Sequence, residues 1–547
     1  MLNLPTNGYR PKSLTADVSL GVFDGLDNAL WCYGFASVIF AGAMAPFLPL
    51  LITILLFGWA LLGIYVAITS RKSLHVVSLD EQAIVILASI SALLVGHMGE
   101  AAVSERGLST MLAVMSLSSV AVAAFFWLIG HYRLTRLLEL MPYPVICGFM
   151  AGIGWLLLEA GAGIALDASF LELGDAVRDS DKWPKLLLYI AAAIFLLVAT
   201  TRLRRAWALP LASLVLVAVF YITAAVKGLG ADELVAGGWL FDIPEEGGAL
   251  ALLSGVSFAR IDTGFVLTVV PQILTIAFLA LLTQSMSLSA LMMSDGEDVD
   301  TSREIADMGK GNVLCALIAS PPGSTDVAAS SVYREFGASS RWMPLITSAV
   351  CIVMALFGSA IMPWVPKLLV GATVLLFAWQ LFYEWMYENV RGFQPIDFAI
   401  VLIILGTVIF VGFMPGIAAG ILLALLLFVL RYSMISAILG HHSLADYRSS
   451  VERSRSDNQL LDQYGGEALV YRLRGFVFFG TANAVLDTIR ADHVRSGDYR
   501  LLLLDLKRVT GMDISALNTF VQIKTLCELS GVKLIYSSVS METRESL

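Results

Sequence analysis

From residue 27 to about residue 440 the chain alternates between apolar runs and short polar breaks. The runs predict helices at 27–44, 47–68, 82–96, 110–130, 144–166, 186–200, 209–226, 264–292, 311–320, 325–334, 344–361, 366–383, 397–413 and 416–438. Most approach the length that crosses about 30 Å of hydrocarbon at 1.5 Å per residue, so the pattern predicts fourteen membrane spans. Two regions fall short. The third run opens on polar residues, and 311–334 is interrupted by Ser320-Pro321-Pro322-Gly323-Ser324-Thr325-Asp326.

Beyond residue 440 the pattern changes. Residues 441–466 read as a polar linker, with His441 and His442 in a turn. From 467 to 547 strands are predicted at 468–473, 476–479, 501–505 and 533–537, with helices at 481–494 and 515–529. That alternation implies a sheet covered by helices. A further helix begins as the sequence reaches Leu547, which predicts a domain incomplete at its C-terminal end.

Composition supports the membrane reading. Of 547 residues, 58% are apolar and 14% charged, and the mean hydropathy is +0.79. A soluble chain carries about a quarter charged residues, so a water-soluble enzyme is excluded. The net charge of −9 argues against nucleic acid as a partner, because that affinity comes from basic neutralisation of phosphates. Cys32, Cys147, Cys315, Cys351 and Cys527 are scattered without a CxxC pair, so neither disulfides nor a metal site is expected. The polar N-terminus lacks the apolar core of a cleaved signal peptide.

Arginine and lysine fix an orientation. Arg71, Lys72, Arg133, Arg136, Arg202, Arg204, Arg205, Arg303, Lys310, Arg334, Arg341, Arg391 and Arg431 fall in loops after even-numbered spans. Fewer fall in the odd loops, and several of those lie in the long stretches around 167–185 and 227–262. The positive-inside bias then puts both termini in the cytoplasm and the protein in the inner (plasma) membrane. The expected domains are a cytoplasmic segment 1–26, a transmembrane domain 27–440, a linker 441–466 and a tail 467–547.

Several segments resemble one family. MPYPVICGFMAGIGW at 141–155 resembles the Pro-x-Pro-Val-x-x-Gly-Phe segment of SulP-type anion transporters, the sulfate permeases and solute-carrier anion exchangers. SREIADMGKGNVLCALIASPPGSTDVAASSVYREFGASSR at 302–341 resembles their Asn-Arg-Glu-Leu … Gly-Asn … Pro … Gly-Ala-x-x-Arg segment, and MPGIAAGILLALLLFVLRYS their last span. The tail resembles a STAS domain, with DLKRVTGMDISAL against that domain's Asp-x-Ser-Gly-Leu loop. The resemblance implies a seven-plus-seven inverted repeat and a core domain moving against a gate domain like an elevator. It also implies an anion held between the starts of the third and tenth spans, carried by proton or sodium symport or by exchange, and a homodimer in the lipid bilayer. The tail would be cytoplasmic and open to a protein partner.

The residues at those two starts are consistent with this. Broken helices at corresponding places in two halves point to a transporter site, and a helix N-terminus offers free N–H groups and about half a positive charge. The third span starts at Ser78-Leu79-Asp80-Glu81-Gln82-Ala83 and the tenth at Gly323-Ser324-Thr325-Asp326-Val327-Ala328. Gln82, Ala83, Ser324, Thr325, Val327 and Ala328 are the substrate-binding candidates; ordinary loops between apolar helices would read the same way. Asp80, Glu81 and Asp326 cap the helices, with Ser78-x-x-Glu81 as a capping box and Ser324 as the cap of the tenth span, or they couple transport to protons or sodium, for which Glu81 and Asp326 are the candidates.

On the eighth span Thr283 and Ser287 are four apart, as are Ser285 and Ser289, with Gln284 between. Thr283 and Ser287 could contact substrate or a hard cation, or bond between helices. Relatives put a carboxylate in this span, and none occurs here before Asp295. Animal exchangers carry an arginine in the tenth span where this chain has Ala329. In the first span the family's polar position falls at Tyr33, near Asn28, Trp31 and Phe35, which could equally be interfacial anchors. The acidic stretch 294–310 reads as a solvated loop, since it lacks EF-hand spacing. Ser515 stands where bacterial STAS regulators are phosphorylated, or simply caps a helix. No cofactor and no phosphate-binding loop are indicated. The expected function is secondary transport of a small inorganic or carboxylate anion of the sulfate, bicarbonate or dicarboxylate class. The rivals are an uncoupled channel on the same fold and a membrane-anchored scaffold.

Overall fold

The computed structural model describes residues 14–70, 74–134, 142–166, 179, 182–203, 207–241, 260–295, 300–433, 437–446, 451–496 and 499–539. The chain divides into two compact units at about residue 421.

The first unit is helical. Its helices are α1 (Leu14–Ile39), α2 (Leu48–Thr69), α3 (Glu81–Met98), α4 (Glu105–His131), α5 (Tyr143–Leu166), α6 (Trp183–Leu203), α7 (Ala208–Val226), α8 (Val270–Asp295), α9 (Thr301–Leu317), α10 (Val327–Glu335), α11 (Trp342–Ile361), α12 (Lys367–Tyr383), α13 (Pro395–Phe410) and α14 (Phe413–Ser433). Among the described residues, eight helices are long and apolar enough to cross a membrane: α2 to α8 and α12. The most apolar window of α5 is 72% buried and that of α7 17%, so α5 is a core helix while α7 keeps most of its surface free to meet lipid.

Helix α1 starts at Leu14, well before the expected residue 27. Asp17 and Asp24, on the early turns of this helix, are buried and partnered. Asp17 accepts from the Ser339 N–H at 2.8 Å and from the Ser340 hydroxyl, and Asp24 from Thr347 Oγ1 at 2.8 Å. Satisfied in this way, their burial cost is offset. Residues 1–13 lie outside the described residues, as do Glu297 and Asp298 of the expected acidic loop; residues 301–310 of that stretch are not a solvated loop but the first turns of α9, capped by Asp300 and packed inward through Ile305 and Met308.

Small residues let the core helices approach. A Cβ on Gly148 of α5 would stand 2.9 Å from Ile404 Cβ, and one on Gly152 would stand 3.0 Å from a Val408 methyl. The two glycines are one turn apart, so α5 offers a small-residue groove to α13, the packing membrane helices favour.

The second unit is an α/β domain. Strands β3 (Ile438–Ser443), β4 (Ala468–Val477), β5 (Leu501–Met512) and β6 (Lys533–Ser537) form one sheet in chain order. β3 is antiparallel to β4, and the pairs β4–β5 and β5–β6 are parallel. The parallel pairs are joined through α16 (Phe479–Ser496) and α17 (Ile514–Leu529), and α15 (Arg455–Tyr464) precedes β4. Leu502, Leu504 and Leu506 alternate inward on β5 and meet Val485, Ile489, Phe520 and Ile523 of the helices.

Two expectations are corrected in this unit. His441 and His442 are not in a turn: His441 pairs with Tyr471 and His442 with Val470 in β3. That strand has no strong alternation of its own and is held by its pairing with β4. The two short strands expected at 468–473 and 476–479 are one strand, bent at Gly475, whose φ of +73° and shifted register suit a residue without a side chain.

Candidate functional site

The interrupted stretch before the tenth span meets the polar start of the third. Residues Val77–Leu79 (β1) and Gly323–Thr325 (β2) pair antiparallel, Val77 with Thr325, Ser78 with Ser324 and Leu79 with Gly323. Each strand runs directly into a helix, β1 into α3 and β2 into α10. Because the strands are antiparallel, the helices leave from opposite ends of the ribbon and turn their N-termini toward it. Three residues at about 3.4 Å each separate the two starts by about 10 Å.

The junctions are near copies of one another. The Asp80 N–H bonds to Pro322 O at 2.8 Å, and the Asp326 N–H to Val76 O at 3.0 Å. Asp80 Oδ1 then accepts from the Ala83 N–H at 3.1 Å, and Asp326 Oδ1 from the Ala329 N–H at 2.8 Å. The helix caps are therefore these two aspartates. Ser78 and Ser324 are not caps, because both are occupied as facing residues of the strand pair. Glu81 is the first residue of α3.

The ribbon is clamped from several helices. Gln284 of α8, fully buried, accepts from the Thr325 N–H at 2.8 Å and donates to Thr325 Oγ1 at 2.9 Å. Asn312 of α9, also fully buried, grips Gly323 in the same two-handed way, accepting from its N–H at 2.8 Å and donating to its carbonyl at 2.9 Å. Trp59 of α2 donates to Val77 O at 2.8 Å. His75 links Ser70 to Thr325 Oγ1, both at 2.9 Å. Ser330 of α10 accepts from the Val76 N–H at 3.1 Å. In a buried place each of these backbone groups would otherwise be a cost.

The candidate residues fall as follows. Ser324 and Thr325 are buried in β2; Gln82 and Ala83 are buried in the first turn of α3; Val327 opens α10 and is half-buried. Ala328 follows Val327 in the backbone of α10, and its side chain is outside the described ones. Thr283 donates to Gln82 Oε1 at 3.2 Å, while Gln82 Nε2 points to Met150 Sδ of α5 at 3.6 Å. Ser287 is half-buried one turn further along α8. Tyr33 is buried on α1, which packs on α3. Glu81 is half-buried, and Asp80 and Asp326 lie within its electrostatic reach. In the second unit Asp513, not Ser515, caps α17, taking the Ala516 N–H at 2.6 Å; Ser515 is exposed in the first turn.

Sequence reasoning missed His75 and Asn312 and gave Gln284 no task. Asn312 belongs to the Gly-Asn pair of a quoted motif, and that pair now has a physical cause. A Cβ on Gly311 would stand 2.7 Å from Leu62, and the adjacent Asn312 holds Gly323.

Comparison with known proteins agrees with this architecture. The model of the sulfate permease family matches residues 60–404, and that of the STAS domain residues 460–547. The chain is 25% identical over 455 residues to a vacuolar basic amino acid transporter of Saccharomyces cerevisiae, a match covering 80% of this chain and 44% of that protein. This chain therefore spans less than half the length of that relative. It is 21% identical to a Mycobacterium tuberculosis protein described as a probable sulfate transporter, over 89% of this chain and 84% of that one. It is 23% identical to the bicarbonate transporter BicA of a Picosynechococcus species, over 78% and 73%. In three dimensions it resembles the murine Solute Carrier 26 family member A9 anion transporter in its inward-facing state, with a TM-score of 0.69 at 13% identity, over 98% of this chain and 87% of that one. It also resembles the transmembrane domain of a cyanobacterial BicA, with a TM-score of 0.56 at 16% identity, over 75% and 97%.

Proposed function

The chain belongs to the sulfate permease family, a family of membrane transporters and not of enzymes, and from that premise we propose that it is a secondary carrier of small solutes gripped by an anionic head. The observation that carries the proposal is the ribbon of β1 and β2, which turns the N-termini of α3 and α10 toward one buried place. Sulfate, bicarbonate and an amino acid, the cargoes named for the relatives, all present a negatively charged oxygen group, the chemistry a helix start accommodates. Gln82, Ala83, Ser324, Thr325, Val327 and Ala328 line the grip, with Tyr33 on the facing helix.

The carrier runs on an ion gradient, proton or sodium, with Glu81, Asp326, Thr283 and Ser287 as the coupling groups. It works by elevator-like displacement of one half of an inverted repeat against the other, as a homodimer in the inner membrane with both termini cytoplasmic. The STAS domain supplies a regulatory surface for a protein partner, with Ser515 exposed to modification.

Reconstitution of the full chain into liposomes tests this. Labelled sulfate, bicarbonate and dicarboxylates are offered under imposed proton and sodium gradients. Saturable uptake with counterflow is expected, and Ser324→Leu should abolish uptake per monodisperse molecule, because the added side chain overfills a buried position in the ribbon. Normal uptake by that variant would refute the grip; flux that never saturates would make the protein a channel.

A further inference from the structure

The two helix starts are surrounded by carboxylates. Asp80 caps α3, Glu81 follows it, and Asp326 caps α10. Helix α1 adds Asp24 and Asp27: Asp326 lies within electrostatic reach of both, and of Glu81. The charges that act most strongly on Asp24, Asp27 and Glu81 are all carboxylates, with no lysine or arginine among them. Asp80 and Asp326 each take up one amide donor of their own helix start, so a simple anion finds fewer donors at both starts and several carboxyl groups nearby.

Two further features point to a ligand. Asp80 Oδ2 and Asn28 Nδ2 are buried polar atoms without a hydrogen-bond partner, in side chains 2% and 4% exposed. Asp27 Oδ1 is buried and without a partner too. Buried polar atoms of this kind are rare in native proteins, and these sit on α1 and at the start of α3, two helices that pack together. Beside Asp27, one turn on, Trp31 offers an indole ring edge-on to Phe377, with centroids 4.6 Å apart. A carboxylate next to an aromatic ring is a setting for a guanidinium or ammonium group.

We propose that the cargo carries positive charge as well as an anionic head: a cationic amino acid such as arginine or lysine. Its carboxylate meets the amides of Val327 and Ala328 at the start of α10, and its cationic groups meet Asp80, Asp24 and Asp27. This rests on the reading of the two helix starts as the cargo site and assigns the substrate class to it. Coupling alone does not account for the cluster. One proton or one sodium ion neutralises a single carboxylate, and an incoming inorganic anion would restore the excess of negative charge. A cationic amino acid enters with net charge +1, bringing two cationic groups for the carboxyl cluster and one oxyanion for the helix start.

The test uses the full chain in liposomes with labelled arginine, alongside sulfate and bicarbonate. Unlabelled lysine and agmatine, which is arginine without its carboxylate, serve as competitors. Saturable arginine uptake is expected, competed by lysine and at least tenfold less well by agmatine. Arginine, but not sulfate, should raise the melting temperature of the purified wild-type protein, a measurement that needs no variant. Asp27→Asn and Asp80→Asn should each raise the KM for arginine at least tenfold while the proteins remain monodisperse. Sulfate or bicarbonate uptake with arginine inert as substrate, competitor and stabiliser would overturn the inference and leave the anion carrier standing. Agmatine carried as well as arginine would keep the cationic cargo and refute the helix-start grip. Arginine uptake insensitive to both substitutions would overturn the assignment of these carboxylates.

Discussion

Gln284 offers a sharp test of the ribbon, because its amide makes both side-chain bonds to one residue. In Gln284→Leu the side-chain volume is roughly kept and the polar end removed. The Thr325 N–H, in a residue only 3% exposed, then loses its acceptor. An unsatisfied buried donor costs about 1–3 kcal/mol, and the lost bond to Thr325 Oγ1 about 1 kcal/mol more. The hydroxyl itself keeps His75 as a partner. The total is about 2–4 kcal/mol against the paired arrangement of the two helix starts. At about 1.4 kcal/mol per tenfold, uptake per folded molecule should fall at least tenfold, and the melting temperature should fall with it. Thr325→Val keeps the N–H bond but takes the acceptor from the fully buried Gln284 Nε2, so its cost should be comparable, about 1–3 kcal/mol. The double variant should cost less than the sum of the two, because both remove the same amide–hydroxyl bond. The measurement is uptake in liposomes normalised to monodisperse protein, with thermal melts in parallel. Uptake by Gln284→Leu within twofold of wild type at an unchanged melting temperature would refute the role given to the clamp. Full additivity would refute the shared bond.

Other outcomes follow from particular contacts. A methyl group on Gly58 of α2 would come within 2.5 Å of Ser320 Cβ, in a fully buried residue. Gly58→Ala should therefore destabilise by about 1–3 kcal/mol, whereas Gly96→Ala, in α3 with open space around it, should gain up to about 1 kcal/mol from helix propensity; equal melting temperatures would contradict the packing. Asp262 caps a short helix at Thr263–Thr268, where the Phe265 N–H, followed by Arg106 and His97, holds its carboxyl below the usual aspartate range. A depressed folded pKa gives stability that is fully present above the ordinary value near 4 and is lost only as pH falls through the lower folded value. Asp262→Asn should lower the melting temperature at neutral pH, where that stability is present, and flatten the acid limb of a pH–melting profile below about pH 4; an unchanged acid limb would contradict this.

Much of the helical unit was legible because a membrane span announces itself by length and hydropathy. From the second span to the last, the helices lie close to the runs that predicted them, except the ninth, which begins at Thr301 and not at 311. The first span shows where that signal fails. Asp17 and Asp24 stand in the stretch expected to be a cytoplasmic segment, and the partners that bury them, Ser339, Ser340 and Thr347, lie more than three hundred positions away. The Ser-Pro-Pro-Gly interruption located the tenth helix start but not its caps. Serine and aspartate cap helices about equally well, and the strand pairing that occupies Ser78 and Ser324 is a long-range event. His75, Gln284 and Asn312 were hidden for the same reason: each acts on a backbone that other segments deliver. In the tail, β3 is made by its neighbour β4 rather than by any alternation of its own.

The ladder between residues 77–79 and 323–325 makes one component of what might have been two. A carrier that released its cargo by parting these tips like jaws would have to break the whole row of backbone bonds, together with the flanking bonds from Asp80 and Asp326, with no water at hand to replace them. The pair instead behaves as a rivet. On the proposed reading, cargo held there would travel with both tips at once, and access to either side of the bilayer would have to be opened by the surrounding scaffold.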